Sequence, residues 1–375
     1  MLFQAEDHMI KSPFRLHRLW ILLTIPVSFL LLFLASEQKS FAEAYAVSVY
    51  PKLSHFGNAI TGAVPFSIGE VFVFLLIVFL VAAVIRFVFR MIRSKGSRGI
   101  TAWKFLVNLF CLAGVLFLFF TLNCGINYHR STFAETCGLE IKESTKPELV
   151  TLCKSLAADS SSLRKEVETG SNSVMELRSR KFSQNADKAR LAFDSLSKGY
   201  PLLRPGYSGP KPVFSSELMS RCNITGMFFP FTFEANVNTD IPDYTLPFTM
   251  CHELSHLRGY MREDEANFIA YLACEKSSDA DFRYSGTAMA FTYANNALFS
   301  ADSKTADEIY ASLSSGVQRD FQFNNEYWDR FKGPVAEAST KANNNYLKAN
   351  SQTDGVQSYG RMVDLLLALQ RSKKK

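Results

Sequence analysis

Histidine is scarce in this chain, with six in 375 residues. A site that needs several imidazoles has very few positions to draw on. The seven cysteines form no CxxC pair and no dense framework: Cys111 lies in an apolar run, and six follow at positions 124, 137, 153, 222, 251 and 274. An oxidising compartment would permit disulfides among these six, but their scattered spacing requires none. No internal repeat or low-complexity tract divides the chain, and after Cys124 no long apolar run recurs. The remaining roughly 250 residues therefore read as one domain with one core.

Long apolar runs crowd the first third instead, at residues 19–35, 71–91 and 105–122. Each approaches the roughly 20 residues a helix needs to cross a bilayer core. Three such runs, almost free of internal charge, point to transmembrane helices. Lys11, Arg15 and Arg18 precede the first run and small residues follow it, so a cleaved signal peptide is the alternative there. The connection at 92–104 and its flanks carry Arg86, Arg90, Arg93, Lys95, Arg98 and Lys104 without an acidic residue, whereas 36–70 is nearly balanced. By the positive-inside rule the basic connection is cytoplasmic. The expected order is then a cytoplasmic N-terminus (1–18), a first span (19–35), an extracytoplasmic loop (36–70), a second span (71–91), a basic cytoplasmic loop (92–104), a third span (105–122) and an extracytoplasmic domain (124–375). The chain thus reads as a multi-pass cell-membrane protein with the lipid bilayer as a partner. The net charge of +6 is largely that of the membrane-flanking residues, so no nucleic-acid partner is expected.

Within the last domain, residues 142–198 are rich in helix formers with apolar residues at helical spacing, which predicts two or three amphipathic helices. The Gly- and Pro-rich "KGYPLLRPGYSGPKP" reads as loop. In "EANVNTDIP", Ala235, Val237, Thr239 and Ile241 alternate with polar residues, the period of a half-buried strand. Pro242 ends it, and Pro247 suits the first turn of a new helix. Residues 279–369 read as further helix, and "RSKKK" as a solvated end. The expected fold is mainly α with a small β element.

The helix after Pro247 carries "HELSH". His252 and His256 stand one turn apart, so both imidazoles leave the same face and can reach one cation, for which zinc is the expected ion. Glu253 is placed beside the metal's open position as general base. Gly259 supplies a C-terminal turn. On a second predicted helix Glu263 is the candidate third ligand, with Asn267 one turn on as a hydrogen-bond partner for a ligand imidazole. Glu265 is the competing third ligand. Arg262 occupies the position where a third histidine would stand in HExxHxxGxxH, and His129 is the only other histidine after the third run. The third ligand is therefore read as a carboxylate. Upstream, the strand from Glu234 is read as an edge that pairs with an extended peptide.

The arrangement resembles the gluzincin pattern, HExxH followed by ExxA[N/D], here Glu263, Ala266 and Asn267, although only six residues separate His256 from Glu263. The run "FPFTFEANVNTDIPDYTLPFTMCHELSHLRGYMREDEANFIAYLAC", the following "FRYSG" and the later "DGVQSYGRMVDLLLA" are similar to the bacterial membrane family known as domain of unknown function 3810. That resemblance implies a membrane-anchored, zinc-dependent metallopeptidase with a zincin-like, mostly helical α+β domain, and it supplies no substrate.

Other residues divide between roles. Tyr284 and Tyr359 are candidate oxyanion stabilisers, with packed aromatics as the plainer reading. His129 reads as structural, and Cys251 as a small buried hydrophobe. Two functions from different classes follow: a zinc peptidase acting outside the membrane on a peptide, envelope protein or cell-wall stem peptide, or a non-catalytic zinc-stabilised receptor or scaffold. Glu253 favours the first, since a structural site has no use for a general base. The motif lies some 130 residues beyond the last span in a polar setting, which argues against intramembrane proteolysis.

Overall fold

The computed structural model describes residues 20–93 and 96–373. The N-terminal stretch 1–18, the Lys95 position and the last two residues of the basic tail lie outside the described residues. Among the described residues, three helices are long and apolar enough to cross a membrane: Trp20–Glu37, Ile68–Arg93 and Arg98–Asn123, with mean hydropathies of 2.0, 3.1 and 2.5. The first packs on the third through Gly114, where a Cβ would come within 2.6 Å of the Thr24 hydroxyl, and through the ring pair Phe29 and Phe117 at 5.1 Å. The second meets the third through Phe87 stacked on Phe105 at 4.4 Å. Phe74, Phe79 and Phe89 stay exposed along the second helix, as on a helix that is apolar all round.

The segment between the first two of these helices, expected as a loop, is itself helical and belongs to the core. It runs Lys39–Ala44, a π-helical turn Tyr45–Val49, and Tyr50–Thr61. Tyr50 is fully buried and donates to the Leu257 carbonyl at 3.1 Å. The Asn58 amide donates to the Phe233 carbonyl at 2.9 Å, and the Ser54 and Tyr207 hydroxyls bond at 2.8 Å.

Strands are few. β1 (Glu168–Thr169) and β2 (Met175–Glu176) form a small antiparallel hairpin between the helices Lys146–Leu163 and Phe182–Leu196. Too short to show a period, this hairpin left no trace in the hydrophobic pattern. A second sheet has the order β3 (Lys211–Pro212), β5 (Glu234–Val237), β4 (Gly226–Phe229), with β5 parallel to β3 and antiparallel to β4. The expectation for the "EANV" strand is corrected here. All four of its residues are buried and it is the central strand, so it offers no edge to a peptide. Even its polar members find partners inside, as Glu234 accepts from Lys211, Thr232 and the Ile68 and Gly69 N–H groups. The edges belong to β3 and β4.

Those last two bonds tie the sheet to the second apolar helix. Glu234 caps the helix from outside, where its first N–H groups lack partners. Glu70, in the first turn, accepts in return from the Phe214 and Ser215 N–H groups. The helix therefore leaves the domain from a fixed point. The helices Leu246–Leu257 and Glu263–Lys276 form the centre of the domain, with Ala280–Ala301 against both.

Candidate metal centre

Pro247 stands in the first turn of the helix Leu246–Leu257, which therefore begins without a wasted donor. It ends in a left-handed turn at Gly259, φ 86°, closed by Gly259 N–H to the His256 carbonyl at 2.8 Å and Tyr260 N–H to the Ser255 carbonyl at 3.3 Å. A Cβ at 259 would sit 2.9 Å from the Tyr50 ring, so the position needs glycine on two counts. The turn has a chemical product: it brings the Tyr260 carbonyl to 2.8 Å from His256 Nδ1. It also lets the next helix start at Glu263, which is how so short a connection still returns a carboxylate to the histidines.

The ring nitrogens can be assigned from their partners. His256 Nδ1 faces a carbonyl, which only accepts, so it carries the proton. His252 Nδ1 lies 2.7 Å from Asn267 Oδ1, and the Asn267 amide nitrogen donates to the Tyr359 carbonyl at 3.2 Å, which fixes the amide orientation. Both Nε2 atoms then present lone pairs. They lie 3.0 Å apart, and Glu263 Oε2 is 3.1 Å from one and 3.5 Å from the other. Three electron-pair donors aimed at one point repel unless a proton or a cation sits among them. Two ligand atoms about 2.05 Å from a tetrahedral zinc would be separated by about 3.3 Å, and the observed separations bracket that value. His252, His256 and Glu263 together can hold a metal ion.

The electrostatics agree. Burial alone would raise the Glu263 carboxyl, but the neighbouring imidazoles, His256 foremost, hold it down to about 2. Burial alone would lower His256, but Glu263 draws it up to about 9.

Glu253 is buried on the next position round the helix. Burial raises its carboxyl above the usual range, against the two histidines, and its Oε2 has no hydrogen-bond partner. Its neighbour is β4: a Cβ at Gly226 would come within 2.5 Å of Glu253 Oε1, and the Phe228 N–H faces the carboxylate. Because the Thr225 carbonyl accepts from the N–H of Asn238, the residue just after β5, alternation turns the backbone groups of Gly226 and Phe228 to the open edge.

The two competing glutamates separate cleanly. Glu263 joins the histidines. Glu265 points the other way, accepts from the Phe133 N–H at 2.7 Å, and is raised by burial to about 7 despite Arg262. The two tyrosines separate as well. Tyr359 stacks its ring 6.4 Å from His252, and burial with the Glu263 charge raises its hydroxyl well above the usual range. Tyr284, the other candidate oxyanion donor, is corrected: its hydroxyl donates to Asp320 at 2.5 Å and is not free. His129 lies half-buried near Arg262, and Cys251 is fully buried, as expected of a small hydrophobe.

The family model described as a protein of unknown function, DUF3810, matches residues 45–367. The chain belongs to this family. No curated protein and no solved structure matches it. The DUF3810 match begins at Tyr45, so it takes in most of the helical segment between the first two apolar helices along with the site.

Several groups around the DUF3810 site carry no local signal in the sequence. The Tyr293 hydroxyl bonds Asn267, and the Gln352 side chain accepts from the Glu263 N–H at 3.2 Å. At the end of the third apolar helix Cys124 Sγ is 3.7 Å from Met261 Sδ and from the Tyr346 hydroxyl, which bonds Tyr128 at 3.1 Å. Each comes from a different element. Only the quoted "QSYGR" run, which holds Tyr359, pointed to that end of the chain.

Proposed function

We propose that the protein is a membrane-anchored, gluzincin-like zinc metallopeptidase whose domain faces the extracytoplasmic side. The observation that carries this reading is the pairing of two features on adjacent positions of one helix. Three lone pairs converge at His252, His256 and Glu263, and beside them Glu253 is buried at an open sheet edge with no hydrogen-bond partner for its Oε2. A zinc ion held there would polarise a scissile carbonyl and a water molecule. Glu253 takes a proton from the water and returns it to the leaving amine. Asn267 and the Tyr260 carbonyl hold the two imidazoles in the tautomer that leaves Nε2 free. The edge of β4 receives the peptide backbone, and the Tyr359 hydroxyl is the nearer candidate for the oxyanion.

A non-catalytic zinc scaffold is the second reading. It leaves Glu253 unexplained, because a buried carboxyl oxygen without a hydrogen-bond partner destabilises a fold by about 1–3 kcal/mol and a structural site gains nothing from it. Full-length protein in nanodiscs, assayed for bound metal and for cleavage of a mixed peptide library, separates the two. Metal at one equivalent with equal behaviour of wild type and Glu253→Gln would leave only the scaffold. The orientation rests on the basic 92–104 connection and is checked by reporters active only outside the cytoplasm. They should work when fused near His55 or after Lys375 and fail near Ser97.

A further inference from the structure

The motif is far from the apolar helices in sequence and close to them in space. Met261, two residues before Glu263, touches Cys124, the residue that ends the third apolar helix. β4 leads the same way. It starts at Glu253 with Gly226 and ends at Phe229, whose ring lies 5.9 Å from Phe72 in the second apolar helix and packs where a Cβ on Gly69 would stand. The next residues continue the contact: Phe231 stacks on Phe72 at 5.9 Å, and the Pro230 carbonyl accepts from Asn123 at 2.9 Å. Gly226 to Pro230 is four residues, or about 13 Å of extended chain. The open edge therefore runs from the general base down to the level where two apolar helices leave the domain.

The domain surface at that level is apolar too. Phe214, which is 99% exposed, is tethered by its N–H to Glu70 in the first turn of the second apolar helix. Phe66 just before that helix, and Phe56 and Ile60 one turn apart on Tyr50–Thr61, are also exposed. Aromatic and aliphatic groups placed so suit the headgroup boundary of a bilayer.

We infer that the substrate is a polypeptide anchored in the same bilayer, paired along the open edge of β4 and cut within about six residues of its exit from the membrane. The inference rests on the peptidase reading above. The bond broken is a peptide C–N bond; water supplies OH to the carbonyl carbon and, through Glu253, H to the departing nitrogen.

The test uses full-length zinc-loaded protein in proteoliposomes. The probe is a single leucine-rich span followed by a 20-residue randomised segment and a folded reporter; the same segment and reporter without the span is the soluble control. Wild type should release the tethered reporter at least tenfold faster than it cuts the control. The new N-termini should map within about six residues of the span. Equal rates on both probes, or cuts spread evenly along the segment, overturn the inference and leave the peptidase reading standing. No cleavage of either probe, or equal cleavage by Glu253→Gln, removes that reading and the inference with it.

Discussion

Two buried polar centres in this domain are built from similar residue types and differ in one respect. In the first, Asp320 accepts from Arg164 Nε at 2.6 Å, from the Tyr284 hydroxyl at 2.5 Å and from the Met175 N–H at 2.7 Å, and Arg164 spends its remaining donors on Thr169 and the Ser173 carbonyl. Every strong group is answered from within the chain. In the second, the His252, His256 and Glu263 donors point at one another, and Glu253 beside them has no partner for Oε2. A network that closes on itself holds elements together. One that leaves lone pairs aimed at a common point could hold a metal ion, and its surroundings, not its burial, tell the two apart.

Substitutions can break that comparison. The largest effect is expected from Glu253→Gln, which should lower hydrolysis by about 10²- to 10⁴-fold while metal content and melting temperature stay near wild type; loss of metal in this variant would make Glu253 a ligand. Glu263→Ala should weaken metal binding by about 100-fold or more, as expected when a ligand is removed, read by competition with a chelating dye. Asp320→Ala should do the reverse. It strands Arg164 as a buried charge, so stability should fall by about 3–5 kcal/mol, with metal affinity in the surviving folded fraction unchanged. A metal defect as large as that of Glu263→Ala would merge the two centres into one. Asn267→Ala is expected to cost about 10- to 100-fold in metal affinity, because His252 keeps its position on the helix but loses the partner that sets its tautomer. The smallest effect on metal is expected from Glu265→Ala, within about threefold, with any loss appearing as stability instead, since its carboxylate serves the Phe133 N–H.

What the sequence revealed follows the reach of helical geometry. His252, Glu253, His256, Glu263 and Asn267 lie within sixteen residues on two helices joined by one turn, so spacing alone largely fixes which of them share a face. The three apolar helices were legible because their signal is compositional and long. The edge strand was not, because β4 and β5 differ by burial and sheet order, which tertiary packing sets. The oxyanion role stayed open for Tyr284 beside the plainer reading of a packed aromatic for the same reason: its partner Asp320 is 36 residues away on another helix. Nor does any local pattern in residues 39–61 announce that they fill the core.

That segment sets an order of events. Tyr50 leaves the ribosome 207 residues ahead of Leu257, whose carbonyl it holds, and at the usual 5–20 residues per second the interval is about 10–40 s. During that time a wedge of the finished core, flanked by two apolar helices, must stay competent without the helix it will brace. A fragment beginning after the third apolar helix would lack the wedge altogether. The domain is thus cut from two separate pieces of chain, and dissection after the third apolar helix would yield something other than the folded domain without its apolar helices.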